Sequence, residues 1–435
     1  MTQTLRMVPY GEASYTKLRE AGFAYVDKTR FISVLEQNGS RFPIILRPRR
    51  SGKSLFANLL TAYYDKAAAR DFEKNFSGTR IGEHPTPLAN KYLVLKFDFS
   101  SVAKEDFVGS FIGNIKDGMM DFVLRYMKDD EKVVALIDAP HSSPSALLLE
   151  FLRRVSVKLN EKIYLIIDEY DAFAHELSPN DPDDLRRMNA VKNFYANIKD
   201  AAQDRIAWVY ITGVTPVSLD GMTSGYNIGS NLSDWPAFSA MAGFTEEELR
   251  GLIPQTIDVE RYGHCVDEIV DRMKVLYDGY RFSPDSDVTV CNSSMCLYYL
   301  GEIAAINEEP DVLLDPAFSV GLSKIEGILS LGRREFVNDV VTKVLLDQSI
   351  PLGALSGAVN LNAAAESADD DILSALVFMG FLTFSQERSD RLVCPNLVVK
   401  DIFFKYWFRW IGKANGLSFP STKTFAICST NPLDL

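Results

Sequence analysis

The sequence predicts an α/β fold built on a parallel sheet, and three patterns carry that reading. Short apolar runs rich in β-branched or aromatic residues alternate with helical stretches. One of those runs leads into a Gly-Lys-Ser loop that opens a helix, and another ends in two adjacent acids. Strands that are apolar throughout, separated by helices, belong to a sheet covered on both faces.

The elements follow in order. Strands are expected at Phe42–Leu46 (FPIIL), Tyr92–Phe99 (YLVLKFDF), Ile163–Ile167 (IYLII) and Ile206–Thr212 (IAWVYIT), with a fifth near Phe238–Gly243 (FSAMAG). Lys53–Tyr64 and Leu185–Gln203 carry apolar residues at helical spacing. Ser101–Asn160 reads as a helical insertion broken at Pro140 and Pro144. After Gly243 the pattern changes. Thr245 followed by Glu246, Glu247 and Glu248 is a helix start, and Val266–Leu276 is a further helix. Asp369–Gly380 reads as a helix, with Phe381–Phe384 and Arg391–Cys394 as a hairpin behind it, the order of a winged helix. The expected division is 1–243 for the sheet domain, 244–345 for a helical lid, 346–415 for a winged-helix-like region and 416–435 for a tail.

Bulk properties narrow the partners. The 435 residues hold 46 Lys plus Arg and 58 Asp plus Glu, a net charge of -12, which argues against a surface that grips nucleic acid as a whole. Five cysteines without a CxxC pair fit a cytoplasmic protein with reduced thiols, and four scattered histidines form no zinc pattern. No stretch approaches the length of a membrane span and the N-terminus has no apolar signal region, so neither export nor membrane insertion is expected.

The chemistry concentrates in two segments. Arg47-Pro48-Arg49-Arg50-Ser51-Gly52-Lys53-Ser54, continuing into Leu55, is a phosphate-binding loop (Walker A) with Arg47 where the pattern has its first glycine. Gly52 permits the tight turn, Lys53 can reach β and γ phosphates, and Ser54 offers a hydroxyl to Mg²⁺. The helix start adds its own field for anions, and Arg49 and Arg50 add charge. Tyr164–Glu169 is the acidic strand (Walker B): Asp168 would bind Mg²⁺, and Glu169 would act as general base. Asp171 reads as a cap. Thr212 is the candidate for orienting the lytic water at the end of the next strand, with Thr215 as the alternative; the Tyr92–Phe99 run is read as an inserted strand. Together these give a P-loop NTPase of the strand-inserted class. No [NT]KxD segment follows the acidic strand, so ATP is favoured over GTP.

With these residues in hand, the chain resembles the bacterial AAA-ATPase-like family, whose members often join an N-terminal P-loop domain to a C-terminal PD-(D/E)XK nuclease-like domain. The resemblance rests on YVDKT (25–29), RPRRSGKSL (47–55), IIDEYD (166–171), ITGVTPVSL (211–219), YDGYRF (277–282) and CPNLVVKDIF (394–403). It implies that Arg47 is the family's own form of the loop. It also implies an adenine-side role for Asp27, otherwise a helix cap, and a lid cation toward the γ-phosphate in Arg281, otherwise a surface ion pair. No acid-spacer-ExK pattern follows Pro395, so nuclease activity is not expected. The function read from the sequence is an ATP-hydrolysing, nucleotide-dependent switch. The alternative is an ATP-gated scaffold that binds a partner, nuclease or nucleic acid, without significant hydrolysis.

Overall fold

The computed structural model describes residues 4–103, 105–128, 130–141, 143–172, 181–216, 229–314, 320–353, 355 and 369–414. The tail beyond 416 and the end of the 211–219 match lie outside them.

The helices are α1 (Tyr15–Glu20), α2 (Arg30–Asn38), α3 (Lys53–Tyr64), α4 (Phe72–Phe76), α5 (Arg80–Glu83), α6 (Phe107–Tyr126), α7 (Glu131–Asp138), α8 (Pro144–Leu159), α9 (Pro182–Ala201), α10 (Glu246–Thr256), α11 (Val259–Tyr262), α12 (Val266–Tyr277), α13 (Ser293–Ile306), α14 (Val320–Leu329), α15 (Arg334–Leu345), α16 (Asp369–Phe378) and α17 (Leu397–Ala414). The strands are β1 (Pro43–Leu46), β2 (Leu93–Asp98), β3 (Ile163–Asp168), β4 (Ile206–Gly213), β5 (Ser230–Asn231), β6 (Ile350–Pro351), β7 (Thr383–Phe384) and β8 (Arg391–Val393).

The first five strands form one parallel sheet in the order β2-β3-β4-β1-β5. Apolar side chains on both faces explain why the strands read as unbroken apolar runs: β3 is buried from Ile163 to Asp168. The strand that separates β1 from the acidic β3 is β4; the Tyr92–Phe99 run forms the edge strand β2 instead. The fifth strand is Ser230–Asn231, not Phe238–Gly243. The latter segment is rich in small residues and folds into a 3-10 turn and loop, and Gly243 there, in the left-handed region at φ 84°, donates its N–H to Ser51 O.

The insertion holds α6, α7 and α8. Pro144 starts α8 at its first turn, where a missing N–H costs nothing, and Ser143 caps it. Beyond the sheet, the predicted cap at Thr245 is a full capping box with Glu248. Helices α10, α12 and α13, within the span expected to be the lid, share a separate apolar core with Phe244, Cys291 and Met295. Helices α14 and α15 pack on α17, and α14 also on α16, so they adjoin the C-terminal region rather than the lid. There β6, β8 and β7 form a small antiparallel sheet. Helix α16 starts with Asp369, Asp370 and Asp371 and buries Ile372, Leu373, Leu376 and Phe378, so the helix before the wing offers phosphate a like charge. Among the described residues no helix is long and apolar enough to cross a membrane.

Candidate functional site

The carboxyl ends of β1, β2 and β3 open into a cleft of about 640 Å³. Its walls come from the N-terminal segment, the Arg49–Leu55 loop, the acidic strand ends and the lid. In a parallel sheet this edge is where ligands sit.

The loop is shaped by local conformation. Arg50 (φ 62°) and Gly52 (φ 100°) are both left-handed, and the turn brings the chain round into α3. Ser51 Oγ donates to Pro48 O at 2.8 Å, closing the loop on itself. Lys53 Nζ donates to the same carbonyl at 3.3 Å and lies 3.5 Å from Glu169 Oε1. Lys53 is 3 % exposed and Glu169 20 %, so this pair is screened little by solvent.

Asp168 and Glu169 would point to opposite faces in a regular strand. Glu169 sits instead at φ 51°, a conformation few non-glycine residues adopt, and both acids line the cleft. Asp168 Oδ1 accepts from Glu169 N–H at 3.0 Å, while Oδ2 is buried and has no hydrogen-bond partner among the described residues. Burial raises the Asp168 carboxyl above the usual range; Lys96 and the Ser54 hydroxyl pull it down, Glu169 and Asp98 push it up. A buried, unpartnered carboxylate oxygen beside a serine hydroxyl at a helix start fits a hard divalent cation that takes its remaining ligands from phosphate and water. Among the described residues there is no cluster of three or more acidic, histidine or cysteine side chains that would hold a metal by itself.

Several expected roles are redistributed. Arg47 does not line the cleft. Its guanidinium is buried and donates to Leu46 O, Ser233 O and Phe238 O at 2.6–2.8 Å, lies over the Phe282 ring at 4.3 Å, and is lowered to about 10 by burial. It braces the loop from behind. Pro48 contributes its carbonyl, as above, and not a wall of the cleft. Asp27 does not line the cleft and accepts from Thr29 N–H just ahead of α2 and from Arg80 N–H at the first residue of α5, while its neighbours Tyr25, Val26 and Lys28 line the cleft. Arg281 is buried and donates to carbonyls of Pro284, Ser286 and Ser385, outside the cleft lining. No donor geometry directs it to a phosphate. Thr212 is fully buried, its hydroxyl donating to Ile45 O at 2.8 Å across the sheet. Asp171 is a cap, but for the loop after β4: it accepts from the N–H groups of Val214 and Thr215 and from the Thr215 hydroxyl.

The structure also adds groups that the sequence reading passed over. Asn292 Nδ2 reaches Arg49 O at 3.4 Å, and Ser293 Oγ and Ser294 N–H both donate to Arg50 O at 3.3 Å, so the start of α13 is tied to the phosphate loop. Lys28 joins the N-terminal segment to the lid through Glu248 and Ala240 O; burial lowers it to about 8 against the pull of Glu248. Lys324 on α14 stands in the field of Arg49, Lys53, Asp171 and Glu169, and is lowered to about 8, first by burial and then by Arg49. Asp98 pairs in register with Asp168, and Lys96 lies two residues earlier. A charged residue inside an apolar strand was the available signal for Lys96. Nothing in sequence marks Lys324.

Residues 9–223 match the family model AAA-ATPase_like, described as "Predicted AAA-ATPase". A curated relative, "Uncharacterized protein in vnfD 5'region" from Azotobacter chroococcum mcd 1, is 23% identical over 285 residues, covering 65% of this chain and 50% of the relative. The chain thus spans about half the length of that relative. Among solved structures, Cdc6p from Pyrobaculum aerophilum matches with a TM-score of 0.37 at 12% identity, covering 88% of this chain and 93% of the other. The Aeropyrum pernix ORC2 protein (ADPNP-ADP complexes) matches with a TM-score of 0.33 at 12% identity, covering 93% and 96%.

Proposed function

We propose that this chain, whose residues 9–223 match the predicted AAA-ATPase family, is an ATP-dependent switch that binds ATP in the cleft and hydrolyses it slowly. The observation that carries the reading is the meeting of Lys53, Ser54, Asp168 and Glu169 at the mouth of one loop, with an unpartnered oxygen of Asp168 among them.

The base would lie between the N-terminal segment and the lid, where Pro9, Tyr10, Val26, Phe244, Leu252 and Leu297 make an apolar slot. The backbone N–H groups of the loop and the start of α3 would hold the phosphates, with Lys53 between β and γ. Ser54 and Asp168 would hold Mg²⁺, which supplies charge neutralisation at the β and γ oxygens. Glu169 would accept the proton of the attacking water. It must leave Lys53 to do so, and phosphate, the stronger partner for an ammonium, would draw Lys53 away. The hydrogen bonds from Gly243, Asn292, Ser293 and Ser294 to the loop would carry its rearrangement into the lid.

The experiment is single-turnover phosphate release with Glu169→Gln. The amide keeps size and cannot take a proton, so ATP binding should persist while release falls by about 100-fold, the scale of a lost general base. An unchanged rate would remove Glu169 as base. The second reading, an ATP-gated scaffold without significant hydrolysis, is favoured by the Lys53–Glu169 contact, which holds the base against a cation. It predicts stable ATP occupancy in the wild type with no phosphate release.

A further inference from the structure

Strand β2 carries an ammonium where a covered sheet offers apolar neighbours. Lys96 is half-buried within LVLKFD, flanked by buried Leu95 and Phe97. Burying an ammonium is costly unless its surroundings compensate the charge. One compensating group is Asn58 on α3, whose Oδ1 accepts from Lys96 Nζ at 2.7 Å. One acceptor leaves most of an ammonium's donor capacity for something else.

Position says what that is. Residues 96 and 98 of β2 point to the same face, and Asp98 pairs in register with Asp168. Lys96 therefore lies one pleat, about 6.6 Å, below the acidic end of the sheet. On the facing helix, Asn58 lies one turn, about 6 Å along the axis, below Ser54. Ser54, Asp98 and Asp168 form the upper tier, Asn58 and Lys96 the lower, and all five line the same cleft. Asn58 also donates through Nδ2 to Ala13 O at 2.8 Å, in the N-terminal segment that lines the same cleft. The lower tier is thus pinned to the base side of the cleft and charged beneath its acidic side.

We propose that Lys96, anchored by Asn58, is a positioning residue of this site: its ammonium is the resident counter-charge of Asp98 and Asp168, and it sets the free Mg²⁺ concentration at which nucleotide binding becomes metal-assisted. The inference rests on the nucleotide-binding reading above. A cation fixed under the carboxylates preserves their placement before the metal arrives. It also opposes the metal, since two like charges within about 10 Å repel appreciably in a partly buried site.

The experiment is titration of a fluorescent ATP analogue at increasing Mg²⁺, reading the half-saturating Mg²⁺ for wild type, Lys96→Met and Lys96→Arg. Removing the charge should lower that concentration by about 5-fold or more, the direction Coulomb repulsion requires. Lys96→Arg keeps the charge and should stay near wild type. If Lys96→Met does not fold, Lys96→Gln removes the same charge with a polar side chain and is read in its place. Metal-dependent binding that is identical in wild type and neutral variants overturns the role of Lys96 and leaves the nucleotide site standing. A wild-type protein that binds no nucleotide at any Mg²⁺ overturns the site itself, and the inference with it.

Discussion

The phosphate loop and the turn after α12 both set arginines in tight backbone, and they use them in opposite ways. Arg49 and Arg50 are exposed and line the cleft. Arg47, at the base of the same loop, and Arg281, in the YDGYRF turn, are buried, and each donates to three backbone carbonyls. An arginine so placed cannot turn to a phosphate without stranding those carbonyls, at about 1–3 kcal/mol for each one left unsatisfied. Membership of a motif therefore does not make a residue a ligand. What its donors already hold decides that.

The sharpest break of this comparison is on the cleft side. Lys53→Ala should lower ATP affinity by about 100-fold or more, because Lys53 is the side chain placed to put a full charge between the β and γ phosphates. Its present partners, the Pro48 carbonyl and Glu169, can turn to water once the cleft is open, so folding should be little affected. Titration with a fluorescent analogue alongside a urea melt separates the two. Wild-type affinity in the variant would end the phosphate-loop assignment.

On the buried side the pattern should reverse. Arg47→Met and Arg281→Met should each cost about 2–4 kcal/mol of stability, since carbonyls lose their donors in a packed region. The midpoint of urea unfolding reads this directly. Arg281→Met should leave the ratio of ATP to ADP affinity unchanged. A selective loss of ATP would return Arg281 to the site and show that the turn rearranges when nucleotide binds. For Arg47, whose carbonyl partners include Ser233 and Phe238 behind the loop, a weaker affinity for both nucleotides is expected with the stability loss.

The same distinction explains what could be read from sequence. The four long strands, α3 and the cap at Thr245 were legible because each follows from local rules: apolar runs, helical spacing and a side chain that closes a capping box. The acidic strand end was legible because carboxylates are tolerated only where a buried strand reaches its ligand edge. Other features depend on long-range placement. Asp27 and Asp98 are both acids in segments read as part of the site, yet one accepts backbone N–H groups of Thr29 and Arg80 and the other stands beside Asp168. The Ser230–Asn231 strand is too short to carry a period and exists because it lies along β1. Helices α14 and α15 sit with the C-terminal region because of their apolar neighbours on α16 and α17, which no local pattern announces.

The C-terminal region meets the loop closely, and its effect is the smallest and most specific to measure. A Cβ on Gly380 would come within 2.9 Å of Pro48, so the turn before β7 is fitted to the phosphate loop. Lys324, on α14 of the same region, lies in the field of the loop cations, and burial lowers it from 10.5 to about 8. Between about 8 and 10.5 the unfolded chain therefore holds a proton that the folded chain has released, and stability should rise with pH across that window. Below about 8 the full penalty of the buried charge is present. Lys28, also lowered to about 8, adds a rise of the same sign. It is common to wild type and Lys324→Met, so the difference between the two isolates Lys324. Urea unfolding at intervals from pH 7 to 10.5 should show a steeper rise in wild type than in the variant. Saturating ATP should reduce that difference, because phosphate near Arg49 and Lys53 offsets the cations that help discharge Lys324. Parallel curves with and without nucleotide would mean that Lys324 does not feel the loop, and the contact at Gly380 would then be packing alone.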